Sequence, residues 1–463
     1  MVRLFRVSVP VGSLALLISE VVLVTSAFVI AAYFTLEYDA QVYLLYDNGL
    51  YRILLVTASV ILGMHFRDLY TDIYVKSRSL LLQQLSLVMG VAFLAQGLIS
   101  YASRALRMPI HLMVPGSALA MVGIFSWRVV YSKYLLGVVG AQRILFVGAN
   151  PVVEAIASHI AEHPELGMAV IGYIDDGDPP GTPRVGGKVL GTLASLQTIA
   201  LEVVPDKIVV GMTERRRSMP VADLLELRFS GIFIEEASTT YESVCMRIST
   251  LELRPSQFVF SGELGPRPGI LMIQSLYNMA IALIGTIVFS PVMLATAIAV
   301  KLSSPGPILY RQTRVGLDGS LFTVYKFRSM DMNAEAATGA VWASKDDPRV
   351  TWLGRYLRKF RLDELPQFFN VLRGEMAVVG PRPERPEFVK TLSEKIPYYR
   401  QRHCVKPGIT GWAQINYKYS DTLEDTIAKL EYDLYYIKNV SPSLDGYIIF
   451  YTLKTMLLSR GSQ

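Results

Sequence analysis

The sequence predicts a membrane protein in three parts. These are an α-helical membrane part of four transmembrane helices plus one re-entrant helix hairpin, a Rossmann-like α/β domain, and a mainly α, membrane-associated C-terminal domain. Three observations predict this. Of 463 residues, 51% are hydrophobic and 18% charged, against about 25% charged in an ordinary soluble domain. Several apolar stretches approach the ~20 residues that cross a bilayer. Between the fourth and the fifth of them, strand-like and helix-like runs alternate, with glycine at strand ends.

The first part covers residues 1–135, with apolar stretches over 12–36, 48–66, 79–101 and 109–127. The first stretch is longer than the ~7–15-residue apolar run of a signal peptide, so it reads as a retained anchor. Residues 37–47 hold no Lys or Arg, whereas Arg67, Lys76 and Arg78 lie between spans two and three, and Arg128, Lys133 and Arg143 follow span four. Positive charge marks the cytoplasmic side, which places the N-terminus and the chain beyond residue 128 in the cytoplasm. Arg104 and Arg107 in the outer loop run against this pattern. Glu20 is the exception in spans otherwise poor in ionisable groups, which disfavours a transporter.

The second part covers 141–265. Arg143–Gly148 reads as a buried strand, 152–162 as a helix, and 170–176 and 207–211 as further strands. The G-x-G-x-x-G fingerprint is absent, because Gly148 is followed by Ala149, Asn150, Pro151, Val152 and Val153. Without the second glycine a pyrophosphate has no close backbone seat, so a structural or regulatory role is the first reading of the domain and cofactor binding the second.

The third part covers 270–463 and opens with an apolar stretch over 275–302. Ser290-Pro291 lies near its middle, where proline interrupts the helical ladder. Arg267 precedes the stretch; Lys301, Arg311 and Arg314 follow it. Positive charge on both flanks predicts a hairpin that dips into the bilayer and returns, with Ser290 and Pro291 as the helix break. The net charge of +6 suits anionic headgroups and phosphate-rich substrates better than nucleic acid. Cys245 and Cys404 stand far apart, outside any C-x-x-C pattern, and read as free thiols.

Chemistry concentrates after residue 320. From Thr351 to Leu362, Trp352, Leu353, Tyr356, Leu357 and Phe360 fall on one helical arc, and Arg355, Arg358, Lys359 and Arg361 on the opposite one. That is the pattern of a helix lying in a membrane interface. Asp363 and Glu364 follow directly, with Pro366 in reach of a helical first turn. A carboxylate there can hold Mg²⁺ or attack phosphorus; the bland alternative for Asp363 is a helix cap. Lys326 and Arg328 lie on one side of a strand-like run, and Arg382 stands on a stiff turn between Pro381 and Pro383. The loop from Lys406 to Gln414 offers Trp412 and an amide suited to a base or sugar.

The stretches Tyr325–Met330, Arg358–Glu375, Val379–Phe388 and Lys406–Asn416 resemble the bacterial sugar transferase family, the monotopic polyprenyl-phosphate phosphoglycosyl transferases. The whole layout resembles the large members that start exopolysaccharide synthesis, and the run from Thr240 to Phe260 is similar to a subgroup of them. The resemblance implies transfer of a sugar 1-phosphate from a UDP-sugar to undecaprenyl phosphate at the cytoplasmic face of a bacterial inner membrane, with release of UMP. It implies Asp363 as nucleophile and Mg²⁺ ligand, and Glu364 as its partner. Lys326, Arg328, Arg358, Arg382, Pro381 and Pro383 would form the phosphate and nucleotide site. Glucose or galactose is the sugar suggested by analogy, and a homodimer is compatible with the large members. Ala377 stands where serine is common, and Ser441-Pro442-Ser443 replaces a more apolar stretch. Two other readings remain open at this level. A scaffold with a decayed transferase domain would need the acidic pair to be idle. A nucleotide-sugar dehydratase would need the missing glycine fingerprint and a Tyr-x-x-x-Lys pair, which the chain lacks.

Overall fold

The computed structural model describes residues 2–4, 7–9, 11–36, 39–70, 77–132, 141–212, 219–251, 268–330, 349–417 and 422–457. Lys76, Lys133, Arg267 and the stretch 252–260 of the run ending at Phe260 lie outside the described residues. The chain packs as two units that divide between Ala237 and Ser238.

In the first unit, short strands β1 (Val2–Leu4) and β2 (Val7–Val9) precede helix α1 (Val11–Thr35). Helices α2 (Ala40–Leu45), α3 (Gly49–Phe66), α4 (Arg78–Ala102) and α5 (Ile110–Val130) follow. Of these, α1, α3, α4 and α5 are long and apolar enough to cross a membrane. Phe28, Ile53, Val56, Leu85, Leu112 and Ile124 are buried between them. Gly116 lets the Phe28 ring lie against the α5 backbone, since a Cβ there would come within 2.4 Å of the ring and so could not fit.

Glu20 is fully buried and so is Arg128, which lies in the last turn of α5 rather than in a loop. Arg128 Nε donates to Glu20 Oε1 at 2.7 Å, Nη2 to Oε2 at 3.1 Å, and Nη1 to the Leu69 carbonyl at 2.7 Å. The charge that reads in sequence as a cytoplasmic flank is therefore also the counter-ion of Glu20. Pairing of this kind is what makes an ionisable group tolerable in a membrane.

The same unit holds a six-stranded sheet built from β3 (Gln142–Val147), β4 (Met168–Ile174), β5 (Pro183–Arg184), β6 (Gly187–Gly191), β7 (Lys207–Val210) and β8 (Phe233–Glu236). Its order is β5-β6-β4-β3-β7-β8, parallel except for the β5 edge. Helices α6 (Pro151–Glu162), α7 (Leu196–Val203) and α8 (Val221–Phe229) connect the strands. The order reverses between β3 and β7, the place where such sheets hold dinucleotides. At that place the ends of β3 and β7 run close together. A Cβ on Gly148 (φ +85°) would meet the Gly211 carbonyl at 2.5 Å. Pro151 has no N–H to offer an anion, and Asn150 Oδ1 already accepts from Val153 N at 2.8 Å.

The second unit takes in α9 (Ala237–Cys245) from Ser238 onward. It continues through α10 (Pro268–Ser303), the antiparallel hairpin of β9 (Leu309–Val315) and β10 (Leu321–Phe327), α11 (Trp352–Lys359) and α12 (Gln367–Leu372). Strand β11 (Ala377–Val379), α13 (Pro386–Lys395) and β12 (Gly408–Thr410) follow, with β11 and β12 parallel. The last helices are α14 (Trp412–Asn416), α15 (Leu423–Asn439) and α16 (Pro442–Leu457). Ser441 starts α16 by accepting from Leu444 N at 3.3 Å, which is how the chain begins this helix with a polar stretch.

Helix α10 is apolar enough to enter a membrane. One side packs along the unit at Gln274, Asn278, Met293 and Val300, while Leu276, Leu283, Ile287, Leu294, Ile298 and Leu302 are exposed. The helical run continues through Ser290 and Pro291, so the helix break expected there from the sequence is not a break in the helix. Pro291 cannot donate to the Ile287 carbonyl; the Ser290 hydroxyl donates to that oxygen instead, at 2.7 Å. In an apolar medium an orphaned carbonyl costs several kcal/mol, so the serine offsets what the proline removes.

Candidate active site

Asp363 and Glu364 sit on a short 3₁₀ turn, Leu362–Glu364, between α11 and α12. Arg361 enters it with φ +51°, a left-handed conformation that ends α11 and swings the chain inward. Both carboxylates are buried, at 7% and 9% exposure. Asp363 is thus not the cap of α12; Pro366 occupies that position.

The two carboxylates differ in their partners. Glu364 Oε1 accepts from Lys326 Nζ at 2.8 Å and lies 3.4 Å from Arg382 Nη2, while its Oε2 lies 3.6 Å from Arg361 Nη1. Burial works against its ionisation, but Lys326, Arg382 and Arg361 together outweigh it and hold Glu364 well below the usual carboxylate range. Asp363 has no hydrogen bond or ion pair among the described residues. Burial, followed by the neighbouring Glu364 charge, pushes its carboxyl above its ordinary value, while Lys326, Arg358 and Arg382 pull the other way. One carboxylate is an anchored anion; the other is desolvated and uncommitted.

Lys326 reaches Glu364 because β10 is tied to α12. Asn370, fully buried, donates to the Thr323 carbonyl and Glu375 at 2.7 Å each, and accepts from Tyr325 N at 3.1 Å. Arg382 stands on its turn because two guanidinium groups, one buried (Arg402) and one half-buried (Arg314), hold consecutive carbonyls. Arg402 Nη2 donates to Arg382 O at 3.1 Å, and Arg314 Nη1 to Pro383 O at 2.9 Å. Asp433 in turn accepts from Arg402 Nη2 at 2.8 Å. Pro381 and Pro383 are buried and stiffen the turn from either side of exposed Arg382. Arg358 Nε donates to Ser329 Oγ at 3.0 Å.

The structure removes two sequence-predicted residues from this cluster. The Arg328 side chain, 7% exposed, donates to Pro305 O at 2.9 Å and Ser304 O at 2.7 Å, at the end of α10. Trp412, 1% exposed, donates from Nε1 to Met246 O at 3.1 Å and stacks on Tyr435, so it offers no face to a base or sugar. Asn370, Arg402 and Asp433 do not stand out in the sequence as site-forming residues, because Thr323, Arg382 and Arg402, which they hold, lie between 20 and 47 positions away and only folding joins them; Arg361 pairs with Glu364 at the local spacing of three.

The arc of α11 divides as well. Leu357 is buried with Phe327 and Val300, whereas Trp352, Tyr356 and Phe360 are exposed at 71%, 50% and 45%. Both cysteines are free thiols. Burial pushes them up to about 12 for Cys245 and about 11 for Cys404, so neither is a thiolate near neutrality. Among the described residues no group of three or more metal-ligating side chains is present. Asp363, uncommitted and near Lys326, Arg358 and Arg382, fits the way Mg²⁺ is held by one carboxylate plus substrate phosphates.

A sequence profile described as bacterial sugar transferase matches residues 270–459. An N-acetylgalactosaminephosphotransferase of Aeromonas hydrophila, named as acting on UDP-N-acetylgalactosamine and undecaprenyl phosphate, is 46% identical over 48% of this chain; the chain spans about half, 52%, of that relative. A UDP-glucose:undecaprenyl-phosphate glucose-1-phosphate transferase of Klebsiella pneumoniae is 36% identical over 72% of this chain and 70% of its own length. The chain belongs to the bacterial sugar transferase family. A third member, from Bacillus subtilis (strain 168), is named a putative undecaprenyl-phosphate N-acetylgalactosaminyl 1-phosphate transferase. It is 48% identical over 132 residues, which make up 28% of this chain but 73% of that relative. Some members of this sugar transferase family are therefore far shorter than this one.

Proposed function

We propose that this sugar transferase moves a sugar 1-phosphate from a UDP-sugar to undecaprenyl phosphate, in two steps through a phosphosugar-aspartate. The observation that carries the reading is the uncommitted, buried Asp363 beside an anchored Glu364 and the cations Lys326, Arg358 and Arg382. In the first step an Asp363 carboxylate oxygen attacks the phosphorus nearest the sugar. The bond from that phosphorus to the UMP oxygen breaks, and UMP leaves with the electron pair. In the second step an oxygen of the lipid phosphate attacks the same phosphorus, the aspartyl–phosphorus bond breaks, and Asp363 is regenerated.

Two mutually repelling phosphate substrates thus need not occupy the site together. Arg382 and Arg358 neutralise phosphate charge, and Glu364 keeps Lys326 and Arg382 in place. Mg²⁺, held by Asp363 and substrate phosphates, would stabilise charge building on the leaving phosphate. The relatives' names divide between glucose and N-acetylgalactosamine, so the reading commits to a hexose or N-acetylhexosamine and no further.

The length and anchoring of α10 support the membrane placement. A straight helix of its length would run about 54 Å, against a hydrocarbon core of ~30 Å. Both its ends are held by the same unit. Gln274 Nε2 donates to Tyr436 and Asp445 at 2.8 Å each, and Val300 packs with Phe327 and Leu357. A polar unit holding both ends favours a helix that dips in and returns to the cytoplasmic face of the inner membrane, bending at the Ser290-Pro291 pair without interrupting the helical run. The exposed Trp352, Tyr356 and Phe360 then suit the headgroup layer.

The test is UMP release by the purified chain with Mg²⁺ and a panel of UDP-sugars, with and without undecaprenyl phosphate, beside Asp363→Asn. The expected result is a stoichiometric UMP burst without lipid, turnover with it, and loss of both in the variant by at least about 10³-fold. Near-normal turnover by Asp363→Asn would overturn the nucleophile assignment.

A further inference from the structure

The four residues from Lys326 to Ser329 bear on both the catalytic turn and the membrane helix. Lys326 holds Glu364 at 2.8 Å, and Ser329 Oγ accepts from Arg358 at 3.0 Å. Phe327 packs with Met293, Val300 and Leu357. Between them, Arg328 gathers the end of α10 and the loop behind it. Its Nη1 donates to Pro305 O at 2.9 Å, and its Nη2 reaches Ser304 O at 2.7 Å, Ser304 Oγ at 2.9 Å and Val300 O at 3.4 Å. Its backbone N–H donates to Ile308 O at 3.0 Å. The last carbonyls of a helix lack intrahelical donors and attract a cation, so this is a strong place to fasten a helix end.

We propose that Arg328 is a positioning residue: it fixes the height of the Asp363–Glu364 turn relative to the end of the membrane helix, and thereby governs use of the membrane-bound acceptor rather than of the soluble donor. The inference rests on the two-step reading above. A soluble donor reaches the site from any direction, and the side chains that meet it are Lys326, Arg358 and Arg382. The acceptor phosphate is confined to one depth in the bilayer, so a shift of the turn against α10 moves it out of reach while leaving the donor site intact.

The experiment uses the full chain in phosphatidylglycerol-containing vesicles. It compares wild type, Arg328→Lys, Arg328→Gln and Ser304→Ala, with Arg382→Met as the donor-site reference. Three quantities are read: the UMP burst without acceptor, the KM for undecaprenyl phosphate, and the rate with a water-soluble short-chain prenyl phosphate. The Arg328 variants are expected to keep the burst within about twofold, to raise the lipid KM by about tenfold or more, and to recover with the soluble acceptor. Ser304→Ala is expected to move the lipid KM in the same direction by less. A burst lost to the extent seen in Arg382→Met would instead make Arg328 a phosphate ligand. An equal defect with both acceptors, or no defect with either, also overturns the proposal. If the Arg328 variants do not fold, Ser304→Ala decides: an unchanged lipid KM sinks the inference. A wild-type chain with no burst counts against the two-step reading itself, and is seen before any variant is compared.

Discussion

Asp363 and Glu364 are joined by one peptide bond, yet their electrostatic settings oppose one another. Three cations claim the Glu364 carboxylate, and none is bonded to Asp363. Because burial raises Asp363 above its ordinary value, the proposed nucleophile is active above that raised pKa and is lost as pH falls through it. Arg358 is among the groups that lower it. Arg358→Met is therefore expected to move the acid limb of the single-turnover rate to higher pH and to slow the plateau by about 10²-fold. A pH–rate profile of UMP release checks this, and a limb that stays put or moves down would remove Arg358 from the Asp363 environment. The acidic pair, Lys326 and Arg382 are legible in the sequence because their residue types announce charge chemistry. Arg402 and Arg314 are not, since nothing local says that their guanidinium groups hold the carbonyls of Arg382 and Pro383.

At the scale of the element, the proposed membrane placement rests on α10. Ser290 replaces the donor that Pro291 lacks, so the pair can sit in an apolar medium without an orphaned carbonyl. Gly285 lets Phe368 approach, because a Cβ there would come within 2.9 Å of the ring. If α10 dips and returns, single cysteines at Gly269 and Ser320, both exposed, react with an impermeant thiol reagent from the same side of sealed vesicles. Labelling from opposite sides would make α10 an ordinary span. Cys245 and Cys404 contribute little background, since burial keeps both protonated. The amphipathic pattern of α11 was visible in sequence, but its division was not. Leu357 turns to the protein core and Trp352 to the outside because Phe327 and Val300 cover only part of the arc.

For the whole molecule, the profile match is confined to residues 270–459, and a much shorter relative carries the family's character. The second unit also has its own core, from Ile248 to Ile448, with Trp412, Tyr435 and Tyr436 fully buried. A truncation retaining residues 238–463 is accordingly expected to keep the UMP burst within about tenfold of the full chain in vesicles. Loss of the burst from a folded truncation would give the first unit a part in the chemistry.

The apolar helices long enough to cross a membrane, the parallel α/β unit, the family and the acidic pair are legible in the sequence, because hydrophobic length, strand–helix alternation and adjacent charged residues are local properties of the chain. The sequence also shows that the dinucleotide fingerprint is broken, and the structure adds that Gly148 lies against Gly211 and that Asn150 caps the helix beginning at Pro151. Tertiary structure alone decided that Arg128 answers Glu20, that Trp412 is core, that the run beginning at Ser238 belongs to the second unit, and that Arg328 grips a helix end. Each of those depends on a partner far along the chain, and a partner's distance in space is set by packing rather than by spacing in sequence.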